Sequence, residues 1–260
     1  MECSRPNLGC GSMTTIQTST ANLLLRALVP ADFLLLESHL ERVSLNLKDP
    51  LFSPGEPIDC VYFLEDGVAS IVSDQEGGEM VEVGLYGREG MSGTAVLLGA
   101  GQSPLRSMIQ VGNPIAQRIE SGRLLEACAA SIELNLLLMR YAQCLNIQAA
   151  LTAASNAQYA LPERLARWLL MCHDRTDGDR MELTHEFLSM MLAVRRSGVT
   201  VTLHTLEATG AIRSSRGVVV VMNRSRLEEI AGESYGQAEA EYRRLIGPFG
   251  RGRHGMERAA

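Results

Sequence analysis

Residues 121–155, SGRLLEACAASIELNLLLMRYAQCLNIQAALTAAS, run for 35 positions without a proline and with no glycine after Gly122. That composition predicts one long helix, and the helix divides the chain into two parts of different texture. Leu125, Cys128, Ile132, Leu136 and Met139 recur at steps of three or four. Leu137, Leu138, Tyr141, Cys144 and Leu145 widen the apolar face. A helix packed only on its own domain rarely needs so broad a stripe, whereas a coiled coil with a second copy buries the surplus. An ordinary core helix is the alternative reading.

Before the long helix, from Lys48 to about Ile119, short runs rich in Val, Ile, Leu and Tyr alternate with Gly, Pro and Asp turns. Examples are CVYFLEDG (60–67), VASIVSDQEGGE (68–79), MVEVGLYG (80–87) and SMIQVGN (107–113). Their spacing predicts an antiparallel barrel or sandwich, with hairpin turns at Asp66-Gly67 and Gly77-Gly78. Upstream, NLLLRALVPADFLLLESHLERV predicts two short helices broken near Pro30. Residues 1–20 are polar and are expected to be a disordered tail.

After the long helix, Pro162 opens a further helix, PERLARWLLMCHDR, with Leu165, Trp168, Leu169 and Cys172 on one face. TDGD (176–179) ends it. LTHEFLSMMLAVRRSGVTVTLHTLEATG (183–210) then reads as two short helices with almost nothing between them. Thr184 caps the first. In the second, Val199, Leu203 and Leu206 make the buried stripe, and Arg196, Ser197, Thr200 and His204 share another face. AIRSSRGVVVVMN (211–223) predicts a strand, a turn at Arg216-Gly217 and a second strand. The segment from 236 to 260 is expected to be a C-terminal tail, Gly- and Arg-rich from about Pro248.

Charge sharpens the reading. The whole chain has a formal net charge of −6, which disfavours indiscriminate attraction to nucleic acid. Residues 183–226 nonetheless hold Arg195, Arg196, Arg213, Arg216, Arg224 and Arg226 against only Glu186 and Glu207. A local basic patch on an acidic protein is the footprint of a DNA reader. A helix fits the major groove, where Arg can bond both acceptors of a guanine. Arg196, Ser197, Thr200 and His204 are the expected base-reading residues. Thr184, Arg195, Arg213 and Arg216 are the expected phosphate contacts.

The chain resembles the Crp/Fnr family of bacterial transcription regulators over about residues 21–235. Three segments carry the resemblance: PGEPIDCVYFLEDGVASIV (54–72), PERLARWLLM (162–171) and LTHEFLSMMLAVRRSGVTVTLHTLEATGAIRSSRG (183–217). It implies an α+β chain: an antiparallel cyclic-nucleotide-binding-like barrel or jelly roll at 21–120, a dimerisation helix at 121–158, and a winged helix-turn-helix at 159–235. It also implies a cytoplasmic homodimer on double-stranded DNA with a near-palindromic operator, and RNA polymerase as a further partner.

The departures from the family pattern matter equally. Cyclic-nucleotide sensors of the family pair Gly-Glu with Arg-Ser in one pocket. Here GMSGTAVLLGAGQSPLRS (90–107) keeps Gly93 and Arg106-Ser107, but Thr94 replaces the glutamate. Threonine lacks the two acceptor oxygens of a carboxylate, so an unidentified effector or none is expected, and not cyclic AMP. In the recognition helix, Ser197 and Val201 stand where the best-known members have Glu and Arg. Ala193 replaces the usual turn glycine. Those members' operator is therefore not expected here.

Other classes fit less well. The six cysteines (3, 10, 60, 128, 144, 172) form no C-x-x-C pair and no zinc spacing, and read as free thiols. Cys3 and Cys10 are too few for an oxygen-sensing cluster. A cupin-like metalloenzyme needs histidines across the barrel, and none lies between His39 and His173. No nucleophile–base pair stands out, so no catalysis, metal or cofactor is expected. No apolar run approaches a membrane span, and the N-terminus has no apolar signal region. A regulator acting through protein contacts, with a degenerate DNA head, is the remaining rival.

Overall fold

The computed structural model describes residues 15–75 and 80–251. Three short helices open it: α1 (Thr15–Ser19), α2 (Leu23–Arg26) and α3 (Pro30–Glu37). Pro30 occupies the first turn of α3, where its missing N–H costs nothing. Asn22 fixes the entry to α2. Its side-chain oxygen accepts from the Leu25 N–H at 3.0 Å, and its amide donates to the carbonyls of Leu64 and Gly90 at 2.8 Å each. Part of the segment expected as a disordered tail is therefore helical. Gln17 is fully buried and donates to the Leu28 carbonyl at 2.8 Å.

The alternating apolar runs become β1 (Glu41–Ser44), β2 (Pro50–Phe52), β3 (Cys60–Leu64), β4 (Val68–Asp74) and β5 (Met80–Tyr86). After the one-turn helix α4 (Thr94–Leu97) come β6 (Arg106–Val111) and β7 (Ile115–Glu120). They form two antiparallel sheets, ordered β2-β6-β4-β5 and β1-β7-β3. The interior between them is filled by Leu51, Leu64, Ala69, Tyr86, Ile109 and Ala116. Gly67 turns β3 into β4 with φ +70°, and a Cβ there would stand 2.5 Å from the Val111 carbonyl. The Asp66-Gly67 turn thus demands glycine for both reasons. The Gly77-Gly78 turn lies outside the described residues.

The expected single long helix is two: α5 (Ser121–Ala130) and α6 (Ile132–Gln158). Ser131 separates them in an extended conformation. Its hydroxyl accepts from the Leu134 N–H at 3.2 Å and donates to Asp32 at 2.7 Å. A cap satisfied by a residue so distant in sequence breaks a run whose local propensity is helical. Helix α6 lays Leu134, Leu137, Leu138, Tyr141 and Cys144 against its own N-terminal domain. Leu125, Ile132 and Leu136 of the predicted dimer stripe stay exposed, and Cys128 and Met139 are half-buried.

The C-terminal part comprises α7 (Leu161–His173), β8 (Arg180–Glu182), α8 (His185–Leu192), α9 (Arg196–Ala208), β9 (Ile212–Ser215), β10 (Val218–Val221) and α10 (Arg224–Ala231). The predicted hairpin β9–β10 gains a third strand, since β8 pairs with β10. The core centres on Leu169, Leu188, Val199, Leu203 and Leu206, with Trp168 edge-on to Phe187 at 5.3 Å. It is continuous with Val68, Leu85 and Val111 of the sensor sheets.

The expectation of a tail from 236 is corrected. Gln237–Leu245 forms helix α11, and residues to Arg251 fold back over the domain boundary. Tyr242 donates to the Glu89 carbonyl at 2.7 Å, and the rings of Tyr242 and Phe249 lie 5.0 Å apart.

Candidate nucleic-acid interface

Helix α8 begins at Thr184, whose hydroxyl oxygen accepts from the Phe187 N–H at 3.1 Å. It ends at Ala193, which sits in the left-handed region at φ 51°, ψ 48°. The tight turn is therefore kept without the glycine that favours it. From there α9 leaves with Val199, Leu203 and Leu206 buried, as their spacing predicts.

The opposite face is open. Arg196, Ser197 and His204 are exposed and Thr200 is half-buried. Arg196 pairs with Glu186 of α8 at 2.6 Å, with both side chains largely in solvent. Exposed pairs of this kind are weak and exchange readily. Thr200 is turned toward α8: its hydroxyl lies 3.1 Å from His185 Nδ1 and 3.1 Å from the Arg196 carbonyl. Val201, marked in the sequence only as a departure, is 67% exposed. At about 100° per residue it lies nearly opposite the buried stripe, so the helical wheel that located the stripe also locates Val201 at the centre of the outward face.

The hairpin β9–β10 stands beside this face. Arg213 and Arg216 are exposed and have no ion pair among the described residues, and Arg195 at the turn is likewise exposed. Glu207 ties helix to hairpin: it accepts from the Ser214 N–H at 2.5 Å and lies 3.2 Å from His204 Nδ1. The Ser214 N–H, with help from His204, holds the Glu207 carboxyl below its ordinary range. Sequence spacing alone did not single out Glu207.

Residues 163–230 match the family model of the Crp-like helix-turn-helix domain. This segment is a Crp-like helix-turn-helix domain. About three quarters of the chain also superposes on solved regulators. A CRP-family transcriptional regulator from Thermus thermophilus superposes with TM-score 0.63 at 20% identity, covering 75% of this chain and 98% of its own. FixK2 from Bradyrhizobium japonicum gives 0.62 at 16%, covering 74% and 98%. The c-di-GMP-responsive regulator CLP of Xanthomonas campestris gives 0.58 at 16%, covering 74% and 98%. At these identities the likeness establishes the Crp/Fnr fold. No curated protein sequence matches the chain.

In the sensor part, the four residues expected in an effector pocket have separate partners. Gly93, at φ +67°, starts α4 against Ile58 and Val61, and Thr94 is the helix's first residue. Arg106 meets Asp74 at 2.9 Å, and this hydrogen bond raises its pKa. Its neighbour Ser107 is fully buried and shares a 2.7 Å hydrogen bond with the Tyr86 hydroxyl. No hydrogen bond or ion pair joins the four to one another among the described residues.

The Crp-like domain is held to the N-terminal β-sheet part by buried charge. Arg175, after α7, meets Glu89, after β5, at 2.8 Å, with side-chain exposures of 1% and 4%. Arg175 also donates to the Met171 carbonyl at 2.6 Å and lies 5.0 Å from the Phe249 ring. Burial works against its charge, but Glu89, Glu239 and Asp174 more than compensate and raise its pKa. Beside it, Glu82 of β5 accepts from Trp168 Nε1 at 2.9 Å and from the Ser70 hydroxyl. Burial pushes the Glu82 carboxyl up to about 7, against those two hydrogen bonds. Sequence reasoning missed this cluster, because no motif links residues so far apart.

Proposed function

We propose that the protein is a DNA-binding transcription regulator of the Crp/Fnr type, acting as a homodimer on a near-palindromic operator. One observation carries the reading. The face of α9 that carries Arg196, Ser197, Val201 and His204 is open to solvent beside an arginine-bearing hairpin, in a domain of Crp-like helix-turn-helix type. Arg196, Ser197 and His204 then approach base edges, with Thr200 at the margin of that face. Thr184, Arg195, Arg213 and Arg216 meet phosphates and fix register.

The apolar residues Leu125, Ile132 and Leu136, 43%, 76% and 41% exposed, support pairing of α5–α6 with a second copy. Dimerisation matches protein two-fold symmetry to two half-sites. The effector, where one exists, is read as something other than cyclic AMP. Thr94 offers no carboxylate for a ribose, and Arg106 is already engaged by Asp74. No helix among the described residues is long and apolar enough to cross a membrane, which fits a cytoplasmic regulator. RNA polymerase is the remaining proposed partner.

Selection of bound duplexes from a random library by the full-length protein tests the reading. It predicts enrichment of an inverted repeat with half-sites about one helical turn apart. A protein that enriches no sequence would instead be a regulator working through protein contacts.

A further inference from the structure

The centre of the α9 outward face is chemically unusual for a base-reading helix. Ser197, Val201, Thr205 and Ala208 succeed one another along it, and all four are exposed. None is a residue that makes a bidentate bond to a base; those are Arg, Lys, Asn and Gln. Thr205 donates its hydroxyl to the Val201 carbonyl at 3.0 Å, so that hydroxyl is already engaged within the helix. Val201 itself is 67% exposed, whereas the other valine and both leucines of α9 are buried.

A single exposed apolar side chain is ordinary on a protein surface; what sets Val201 apart is its place at the centre of a helix face flanked by exposed arginines. The flanks define what covers this one. Arg195 and Arg196 at one end and Arg213 and Arg216 on the hairpin are exposed cations, so the surface complements a polyanion and not an apolar protein groove. In the major groove of duplex DNA the only apolar feature on a base pair is the C5-methyl of thymine.

We infer that Val201, supported by Thr205 and Ala208, reads a thymine methyl group in each half-site, and that this contact, more than bidentate hydrogen bonding, sets sequence preference at the centre of the half-site. The inference rests on the DNA-binding reading above. It assigns a specificity-determining role to Val201, with Arg196 and His204 reading the flanking bases.

The test uses the full-length protein and the duplex it selects from a random library. Each thymine in a half-site is replaced in turn by uracil, which removes the methyl and leaves every hydrogen-bonding group in place. At one position the parent protein is expected to lose roughly fourfold in affinity per half-site, about the worth of one buried methyl, and about tenfold or more when both half-sites carry uracil. Val201→Ala is expected to bind the thymine duplex more weakly and to show no further loss with uracil at that position. Its melting temperature should match the parent's, because the side chain is exposed. If no uracil substitution weakens the parent, or if Val201→Ala keeps the full uracil penalty, the inference is wrong while DNA binding stands. If no duplex is enriched at all, the DNA-binding reading fails and this one with it.

Discussion

The guanidinium of Arg175 and the carboxylate of Glu89 meet at 2.8 Å across the boundary between sensor and Crp-like domain, both almost wholly excluded from water. The pair is backed by Tyr242, which donates to the Glu89 carbonyl, and by Phe249 beneath the guanidinium. A buried pair adds little over a well-packed apolar contact, but breaking it strands a charge. Glu89→Gln is therefore expected to cost about 3–5 kcal/mol. Urea unfolding monitored at Trp168 reads this directly; a loss below about 1 kcal/mol would show that water reaches Arg175.

Glu82 makes stability depend on pH. Its folded pKa is about 7, raised by burial from an ordinary value of 4.5. Between those values the unfolded chain gives up a proton that the folded chain keeps. The stabilisation is therefore full below about pH 4.5 and lost as pH rises toward 7. Glu82→Gln can keep both hydrogen bonds without that loss. Between pH 5 and pH 8 the unfolding free energy of the parent should fall relative to that of the variant by an amount on the order of 3 kcal/mol, and its melting temperature with it. Parallel melting curves across the range would contradict the assignment.

Ala193 holds a left-handed backbone at φ 51°. Glycine adopts that conformation freely, although it loses more entropy on folding. Ala193→Gly is expected to stabilise the turn by roughly 0.5–1 kcal/mol. Thermal denaturation checks this, and destabilisation would mean that the alanine methyl makes a packing contact of greater value.

Leu136 and Ile132 face solvent on the helical hinge between α5 and α6, opposite the side packed on the sensor. On the proposed pairing of two copies through this face, Ile132→Glu combined with Leu136→Glu should sediment as a folded monomer while the parent sediments as a dimer. An unchanged sedimentation coefficient would move the dimer contact elsewhere.

The recognition element was legible because its signal is local. Val199, Leu203 and Leu206 repeat at helical spacing, Thr184 precedes the first helix, and Pro30 and Gly67 punctuate the sensor part as their backbone chemistry requires. What escaped depends on contacts between distant segments. Ser131 ends α5 because Asp32 accepts its hydroxyl. Gln237–Leu245 is ordered because Tyr242 finds the Glu89 carbonyl, although the Gly- and Arg-rich flank reads as tail. Arg106 stands in a familiar motif, yet Asp74 on the adjacent strand holds it. In the α9 face, spacing grouped Arg196, Ser197, Thr200 and His204. Packing turns Thr200 toward His185 and leaves Val201 at the centre.

Whether this face of α9 reads DNA is decided by the affinity of Arg196→Ala for the selected operator duplex. Arg196 is exposed and held only by a solvent-facing pair with Glu186, so its removal should leave the melting temperature unchanged. Binding is expected to weaken by about 1–3 kcal/mol, roughly fivefold to 150-fold, with relaxed preference at one base pair of each half-site. Binding as tight and as selective as the parent's would place the recognition surface elsewhere on the molecule.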